Sequence, residues 1–524
     1  MAGYLEEKRE ECGIAAVSLP KGMKTPPLGG AAYYLYKMLL QQQHRGQNSA
    51  GITTYNSKRM QLIDTHKELG MVSKVFRSHH MGKNKSILER YAGTRGIGHV
   101  RYATSGSDSE GNAQPFERHH GILWKWFSFA FNGHIANYSD LKQELMRSSY
   151  HLVRDTDTEL VMHYISKAFA GDTKADFVDA FASLGETFDG AYNISFINAE
   201  GNIVVARDPV GVRPLCYSRQ DNFLYAASES CALTASEPEN IMDIKPGEMV
   251  IVENDSVEVK RFAKKRQTAH CMFEWAYFAN PASVIDGVSV YETRWRLGEL
   301  LAKREPLELN SDYVIVAVPD TATPVASGFA NSVGLPSMEG LIRNRYVGRT
   351  FIEGENRTEI AREKYNVNRS VIEGKKVILV DDSIVRGTTG KSFIEMLRKR
   401  GKPKEVHMRV SCPPIKYPCF YGTDMSTLHE LTAPRHMTLD EVQTQGIDAS
   451  EKAIEKIGKE MGLDSLVYQN IEGLKKAICL PEESGGLCMA CLTGEYPTEC
   501  GKKLFCKALQ DFVKGPKGKR ERII

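Results

Sequence analysis

Three stretches of this chain carry residue types and spacings suited to chemistry. In Val377–Ser392, VILVDDSIVRGTTGKS, an apolar run ends in adjacent carboxylates, Asp381 and Asp382, and a loop of hydroxyl and glycine residues follows. At the carboxyl end of a strand, a loop opening a helix offers free backbone N–H groups and a positive dipole to a phosphate. Gly387 permits close backbone approach, while Ser383, Thr388 and Thr389 add hydroxyl donors. Two carboxylates would repel a phosphate unless they hold ribose hydroxyls or Mg²⁺, so the stretch reads as a site for a sugar phosphate with a metal. It is not a Walker loop, because G-x-x-x-x-G-K-[ST] is absent. In the second stretch, EECGIAAVSL, Cys12 begins a strand after a polar leader. Taken alone it reads as a buried thiol, since a Cys without a base is only a few per cent thiolate near neutral pH. In the third, GLCMACLTGEYPTEC, Cys488 and Cys491 form a C-x-x-C pair. That spacing suits zinc, a redox dithiol or an iron–sulfur cluster, and no second pair or His set lies near it.

The elements that must position these groups fall into two rhythms. With 524 residues, two or three domains with ample core are expected. Hydrophobic residues make up 42% and charged residues 25%, as in ordinary globular proteins. The formal net charge of +3 gives no reason to expect a nucleic-acid or membrane partner, and the basic end KGPKGKRERII reads as a solvated tail. No window approaches the ~18 apolar residues of a membrane span, and the polar start MAGYLEEKREEC is not a secretory signal. The chain is therefore expected to be cytoplasmic, with its eleven cysteines reduced. Up to about residue 255, short strand-like runs such as SAGITTY, FSFAFNGHI, GAYNISFIN and EMVIVEND cluster with a few helices, including DLKQELMRSS and TELVMHYISKAFAG. This predicts a layered α+β domain. The charged stretch 252–267 reads as a linker or edge strand. Beyond it YVIVAVPD, KKVILVDDS and EVHMRVSCPP alternate with helices, predicting a parallel sheet. Residues 435–475 read as helical.

In order, Cys12, QQQHRGQNSAGI (Gln41–Ile52), GIGHVRYATSGS (Gly96–Ser107), FNGHIANY (Phe131–Tyr138) and RDTDTEL (Arg154–Leu160) resemble the class II, N-terminal-nucleophile glutamine amidotransferase domain. The resemblance implies a layered α/β/β/α fold over 12–255, preceded by a propeptide, 1–11. Removing the propeptide would free the Cys12 α-amino group, whose pKa near 8 suits a general base. By the same resemblance Asn132 and the Gly133 N–H form an oxyanion hole, Arg101 pairs with the glutamine carboxylate, and Asp157 binds its ammonium. Arg45 and Gly46 would shape the pocket.

The stretch around Asp381 resembles the 5-phosphoribosyl-1-pyrophosphate (PRPP) motif of type I phosphoribosyltransferases. This implies substrate contacts from Asp381, Asp382, Ser383, Arg386, Gly387, Thr388 and Thr389. VPDTATPVASG would supply a pyrophosphate loop, Asp320 to Thr323, with Asp320 and Thr321 as substrate contacts and with Thr321 where the family has Ser. Arg345, Tyr346 and Arg349 of NRYVGRTF would close over PRPP, and Mg²⁺ would sit at Thr321, Asp381 and Asp382. Together the halves resemble the glutamine PRPP amidotransferase family, further supported by ARDPVGVRPL, CMFEWAYFANPAS and GLIRNRYVGRTFI. One branch of that family carries a 4Fe-4S cluster, and Cys271, Cys419, Cys488 and Cys491 match its ligands, with Cys412 and Cys500 near by. The resemblance also implies a phosphoribosyltransferase domain at 256–475, a cysteine-containing segment at 476–524, feedback by purine nucleotides, and a homodimer or homotetramer. The chain departs from the family at Gly354, Glu355 and Asn356, where Pro, Ser and Gln are usual and the loop is about two residues shorter. A further departure, PRHMTLDEVQTQGIDASEKAIEKIGKE, reads as a surface helix. Two rival readings are a different class II amidotransferase and a non-catalytic or ammonia-only paralog. The first would need sugar-isomerase or ATP-pyrophosphatase motifs after residue 255, and neither is present.

Overall fold

The computed structural model describes residues 12–20, 23, 27–102, 109–220, 223–234, 240–344, 365–386, 388–425 and 427–515, with Thr388 and Thr389 described by backbone alone. Two antiparallel sheets stack face to face in the N-terminal part. The seven-stranded sheet runs Met242–Asp243, Cys216–Gln220, Phe223–Ala227, Gly13–Ser18, Arg95–Arg101, Ser49–Tyr55, Ile63–Leu69. The six-stranded sheet runs Ser256–Arg261, Glu248–Glu253, Ile203–Arg207, Gly190–Asn198, Phe127–Ile135, Phe116–Arg118. Because strand side chains alternate between faces, Gly13–Ser18 serves two cores. Ile14 and Ala16 meet Ile197, Ile203 and Val205 of the facing sheet, while Ala15 and Val17 pack under the helix Ala31–Gln41. On the far side, helices Asp157–Ala168 and Phe177–Thr187 cover Phe127, Phe129 and Phe196. The layering is α/β/β/α, as the resemblance implied.

Ser256–Arg261 is the edge strand of the second sheet and carries it past residue 255. Ile63–Leu69, IDTHKEL, escaped the sequence reading because only Ile63 and His66 are buried and charged residues take three of the five half-buried positions.

The second domain is a four-stranded, all-parallel sheet in the order Tyr313–Ala317, Lys376–Asp381, Glu405–Val410, Ser465–Tyr468. Ile378 and Val380 face Val325 and Phe329 on one side, and Val377 and Leu379 face Phe393 and Leu397 on the other. Helices Val290–Ala302 and Thr323–Val333 touch backbone to backbone: a Cβ at Gly298 would fall 2.0 Å from the Val325 oxygen. Two expectations are corrected here. The helical reading of 435–475 misses Ser465–Tyr468, whose short, partly exposed run lacks a strand-like burial signal. The expected surface helix is three helices, Thr432–His436, Leu439–Gln443 and Glu451–Met461, and the last buries Ala453, Ile457 and Met461.

The C-terminal segment ties the domains together. Gly486–Cys488 pairs in parallel with Ala269–Cys271, and the Cys500 thiol, in helix Glu499–Val513, donates to the Ala136 carbonyl at 3.3 Å. Among the described residues no helix is long and apolar enough to cross a membrane.

Candidate active site

Cys12 lies at the mouth of strand Gly13–Ser18 and lines an open pocket of about 410 Å³ with Arg101, Gly133 and Asp157. The sequence-derived set therefore converges, from four separate segments. Gly133 admits no other residue, because a Cβ there would meet the Ala191 carbonyl oxygen at 2.1 Å. Asn132, buried beside it, points Nδ2 at Ser228 Oγ, 3.5 Å away. Asp157 opens a helix capped by Thr156, where the positive helix end favours a carboxylate. Its Oδ1 accepts from the Ile135 N–H at 3.2 Å, and His134 Nδ1 lies 3.4 Å from Oδ2.

Burial pushes the Cys12 thiol up, and a backbone hydrogen bond at Tyr102, then Arg101 and Arg45, oppose it without reversing it. The thiol donates to the Tyr102 carbonyl at 3.6 Å, so a nucleophile at this position would need a base. His99 is no such base, because burial, then Arg101, push its imidazole down to about 3, and its Nε2 faces the Phe131 carbonyl.

Arg45 and Gly46 stand behind this pocket rather than in its lining. A Cβ on Gly46 would strike the Arg101 backbone at 2.5 Å, so the loop braces that arginine. The Arg45 guanidinium is fully buried between Glu229 and Glu274. Glu229 also accepts from Ser283 Oγ at 2.7 Å and from the Asn280 N–H at 2.8 Å. Burial works against the Glu229 charge, yet Arg45 and His44 outweigh it and hold the carboxyl well below the usual range. Glu274→Ala takes one carboxylate from a buried cation, and such losses cost roughly 3–5 kcal/mol. The expected result is a lowered midpoint of chemical unfolding, with Glu274→Gln intermediate.

In the second domain Asp381 ends its strand and Asp382 follows, both buried. Asp382 accepts from Ser383 Oγ at 2.9 Å and from Thr321 Oγ1, and its N–H reaches Asp381 Oδ1 at 2.8 Å. Three oxygen-bearing side chains, Thr321, Asp381 and Asp382, thus gather at one strand end, a donor set suited to a hard cation. Asp320 instead pairs with Arg343 at 2.8 Å. The Arg386 guanidinium turns to Asp424 and Glu430. Helix Thr388–Gly401 begins just after the carboxylates, while Arg345, Tyr346, Arg349, Gly354–Asn356 and Gly387 lie outside the described residues.

Cys271, Cys419, Cys488 and Cys491 line one largely apolar cavity between the domains, with Arg213, Phe273, Met425 and Tyr496. Burial, then the neighbouring thiols, push Cys271 and Cys491 well above the usual thiol range, and burial lifts Cys488 to about 12. Four thiols facing one another, with an arginine, fit a cluster that replaces their protons. Among the described residues, no three His, Cys, Asp or Glu side chains are spaced to hold a single ion. Cys412 and Cys500 do not line the cavity.

Sequence reasoning missed Asn112, Gln114, Thr156 and Thr158, all of which line the Cys12 pocket. The polar run GNAQ before a short strand was the available signal.

Comparison with known proteins agrees with both halves. Residues 99–235 match the glutamine amidotransferase domain family and 297–418 the phosphoribosyl transferase domain family. The chain is 39% identical to an amidophosphoribosyltransferase of Methanothermobacter thermautotrophicus over 94% of this chain and 95% of that one. It is 36% identical to that of Bacillus subtilis, over 95% and 96%. A solved structure of the B. subtilis glutamine PRPP amidotransferase, complexed with ADP and GMP, superposes with a TM-score of 0.78 at 34% identity, covering 93% of this chain and 98% of that one.

Proposed function

Because the chain belongs to the amidophosphoribosyltransferase family, we propose that it moves the amide nitrogen of glutamine onto C1 of PRPP. The products are 5-phosphoribosylamine, pyrophosphate and glutamate, the opening step of purine synthesis. The observation that carries the site assignment is the convergence of Cys12, Arg101, Gly133 and Asp157 on one pocket, in a chain whose second domain gathers Asp381, Asp382 and Thr321.

In the first half-reaction the Cys12 sulfur attacks the glutamine amide carbon and its proton passes to the Cys12 α-amine, freed by removal of residues 1–11. Asn132 and the Gly133 N–H hold the oxyanion, Arg101 the α-carboxylate and Asp157 the α-ammonium. Ammonia leaves, and water releases glutamate from the thioester. In the second, ammonia attacks C1 as pyrophosphate departs, with the ribose oriented by the strand-end carboxylates. Mg²⁺ held by Thr321, Asp381 and Asp382 would neutralise charge on the leaving group. Ser383, Gly387, Thr388 and Thr389 would complete the phosphate cradle, with Arg345, Tyr346 and Arg349 as its cover; Asp320 and Arg386 would join only by leaving their partners Arg343, Asp424 and Glu430. A glutaminase domain from residue 12 through the edge strand Ser256–Arg261, a phosphoribosyltransferase domain from there to about 475 and a segment at 476–524 belong to this reading, as do a homo-oligomer and purine-nucleotide feedback. The nucleotide complex of the B. subtilis relative supports the feedback.

Pyrophosphate release from PRPP with amide-¹⁵N glutamine, followed by mass spectrometry of the sugar product, tests the reading. Labelled phosphoribosylamine is expected, and no pyrophosphate release with glutamine would overturn it. The ammonia-only alternative predicts turnover with ammonium salts alone.

A 4Fe-4S cluster on Cys271, Cys419, Cys488 and Cys491 would be structural, joining the C-terminal segment to both domains. Anaerobically purified protein is expected to contain about four iron atoms per chain. Cys488→Ser should lose them and lower the thermal midpoint, and iron-free wild-type protein would refute the assignment.

A further inference from the structure

Resting on the glutaminase reading of the Cys12 pocket, we propose that Lys67 and Gln114 are positioning residues that hold the Asn132–Gly133 oxyanion donors through the backbone of Phe131. Strand Phe116–Arg118 pairs with Phe127–Ile135 only as far as Phe129. Beyond that point the open edge is filled by a side chain: Gln114 Oε1 accepts from the Phe131 N–H at 2.7 Å, and Gln114 Nε2 donates to the Phe131 carbonyl at 3.2 Å. The primary amide thus does what a strand neighbour would do, one residue before Asn132. The second amide hydrogen goes to Thr158 Oγ1 at 3.2 Å, so Gln114 faces protein rather than substrate although it borders the pocket.

What holds Gln114 in place is Ile63–Leu69, the edge strand of the seven-stranded sheet. Lys67 Nζ donates to the carbonyls of Ala113 at 2.7 Å and Pro115 at 2.9 Å, the residues on either side of Gln114. It does so from above the Phe116 ring, 5.0 Å from its centroid. Thr65, on the same face two residues earlier, adds a bond to Glu117 Oε2 at 2.8 Å. The register requires a glycine opposite: Gly51 pairs with Lys67, and a Cβ there would meet the Gln114 carbonyl oxygen at 2.4 Å and Lys67 Cβ at 2.6 Å. Burial, then Arg154, push the Lys67 ammonium down to about 8, the mark of a cation withdrawn from water to serve these two carbonyls. The chain of contacts runs from Lys67 to the 113–115 loop, to Gln114, to Phe131, and ends at the donors.

Donors to an oxyanion act in the transition state, so displacing them lowers kcat rather than raising KM. Gln114→Glu still accepts from the Phe131 N–H but opposes its carbonyl with another acceptor, and Lys67→Met releases both loop carbonyls. Each is expected to lower kcat with glutamine roughly ten- to a hundredfold, with KM for glutamine changed less than about threefold. Lys67→Arg should recover most of the loss. The ammonia-driven rate of the same preparations is the internal standard and should stay within about twofold of wild type. A rise in KM at constant kcat, or equal loss with both nitrogen donors, would overturn the proposal. Should Gln114→Glu be recovered only unfolded, Lys67→Met decides by the same split. Wild-type protein active with ammonia but inert with glutamine would instead sink the glutaminase reading itself.

Discussion

Cys12→Ala is expected to lower glutamine-driven phosphoribosylamine formation roughly a thousandfold or more, the scale on which enzymes respond to loss of their nucleophile. The ammonia-driven reaction should remain within about threefold of wild type, because the sites lie in separate domains with separate cores. The size of the loss follows from the pocket. Burial pushes the thiol up against the pull of Arg101 and Arg45, and the His99 imidazole, pushed down to about 3, is a poor proton acceptor near neutrality. In the proposed mechanism the base is the α-amine that removal of residues 1–11 would free on Cys12, whose ordinary pKa near 8 suits the task. Blocking removal of residues 1–11 should therefore reproduce the loss with the thiol still present. Intact-mass measurement beside the two-donor assay checks both, and full glutamine activity in protein that retains the leader would refute the mechanism.

Asp382→Asn should lower turnover with glutamine and with ammonia alike, by roughly a hundredfold, the size seen when one group stabilising a transition state is removed. Asp382 is 3% exposed and gathers the hydroxyls of Thr321 and Ser383. Its carbonyl accepts from the Cys412 N–H at 2.8 Å, which fixes the turn whatever the side chain. Asn keeps the shape and removes the charge, so the variant should fold while needing more Mg²⁺ for half-maximal rate. Titration of Mg²⁺ and PRPP with both nitrogen donors reads this. An unchanged PRPP KM and Mg²⁺ requirement would remove Asp382 from the site. The paired outcomes separate the domains: one variant spares ammonia, the other spares neither donor.

Much of this was legible in the chain. GIAAVS, SAGITTY and VILVD announce buried strands because both faces of each strand meet apolar layers. Asp381, Asp382 and the helix start that follows them are adjacent in sequence, so their placement at a strand end needed no long-range information. Cys12, Arg101, Gly133 and Asp157 were named through a family resemblance, and the folded chain brings them round one pocket. Strand Ser465–Tyr468 was not legible, because its partner Glu405–Val410 rather than its own composition recruits it.

Sequence alone determined which segments bury a face and which short stretches carry reactive groups, since periodicity and adjacency are local properties. Tertiary structure alone decided who pairs with whom. Arg45 meets carboxylates 184 and 229 residues away, Gln114 completes a sheet edge for Phe131, and four thiols from three distant segments face one cavity. The physical reason is that a buried charge, an open strand edge or a protonated thiol specifies only that it must be satisfied. Chain closure selects the group that does so.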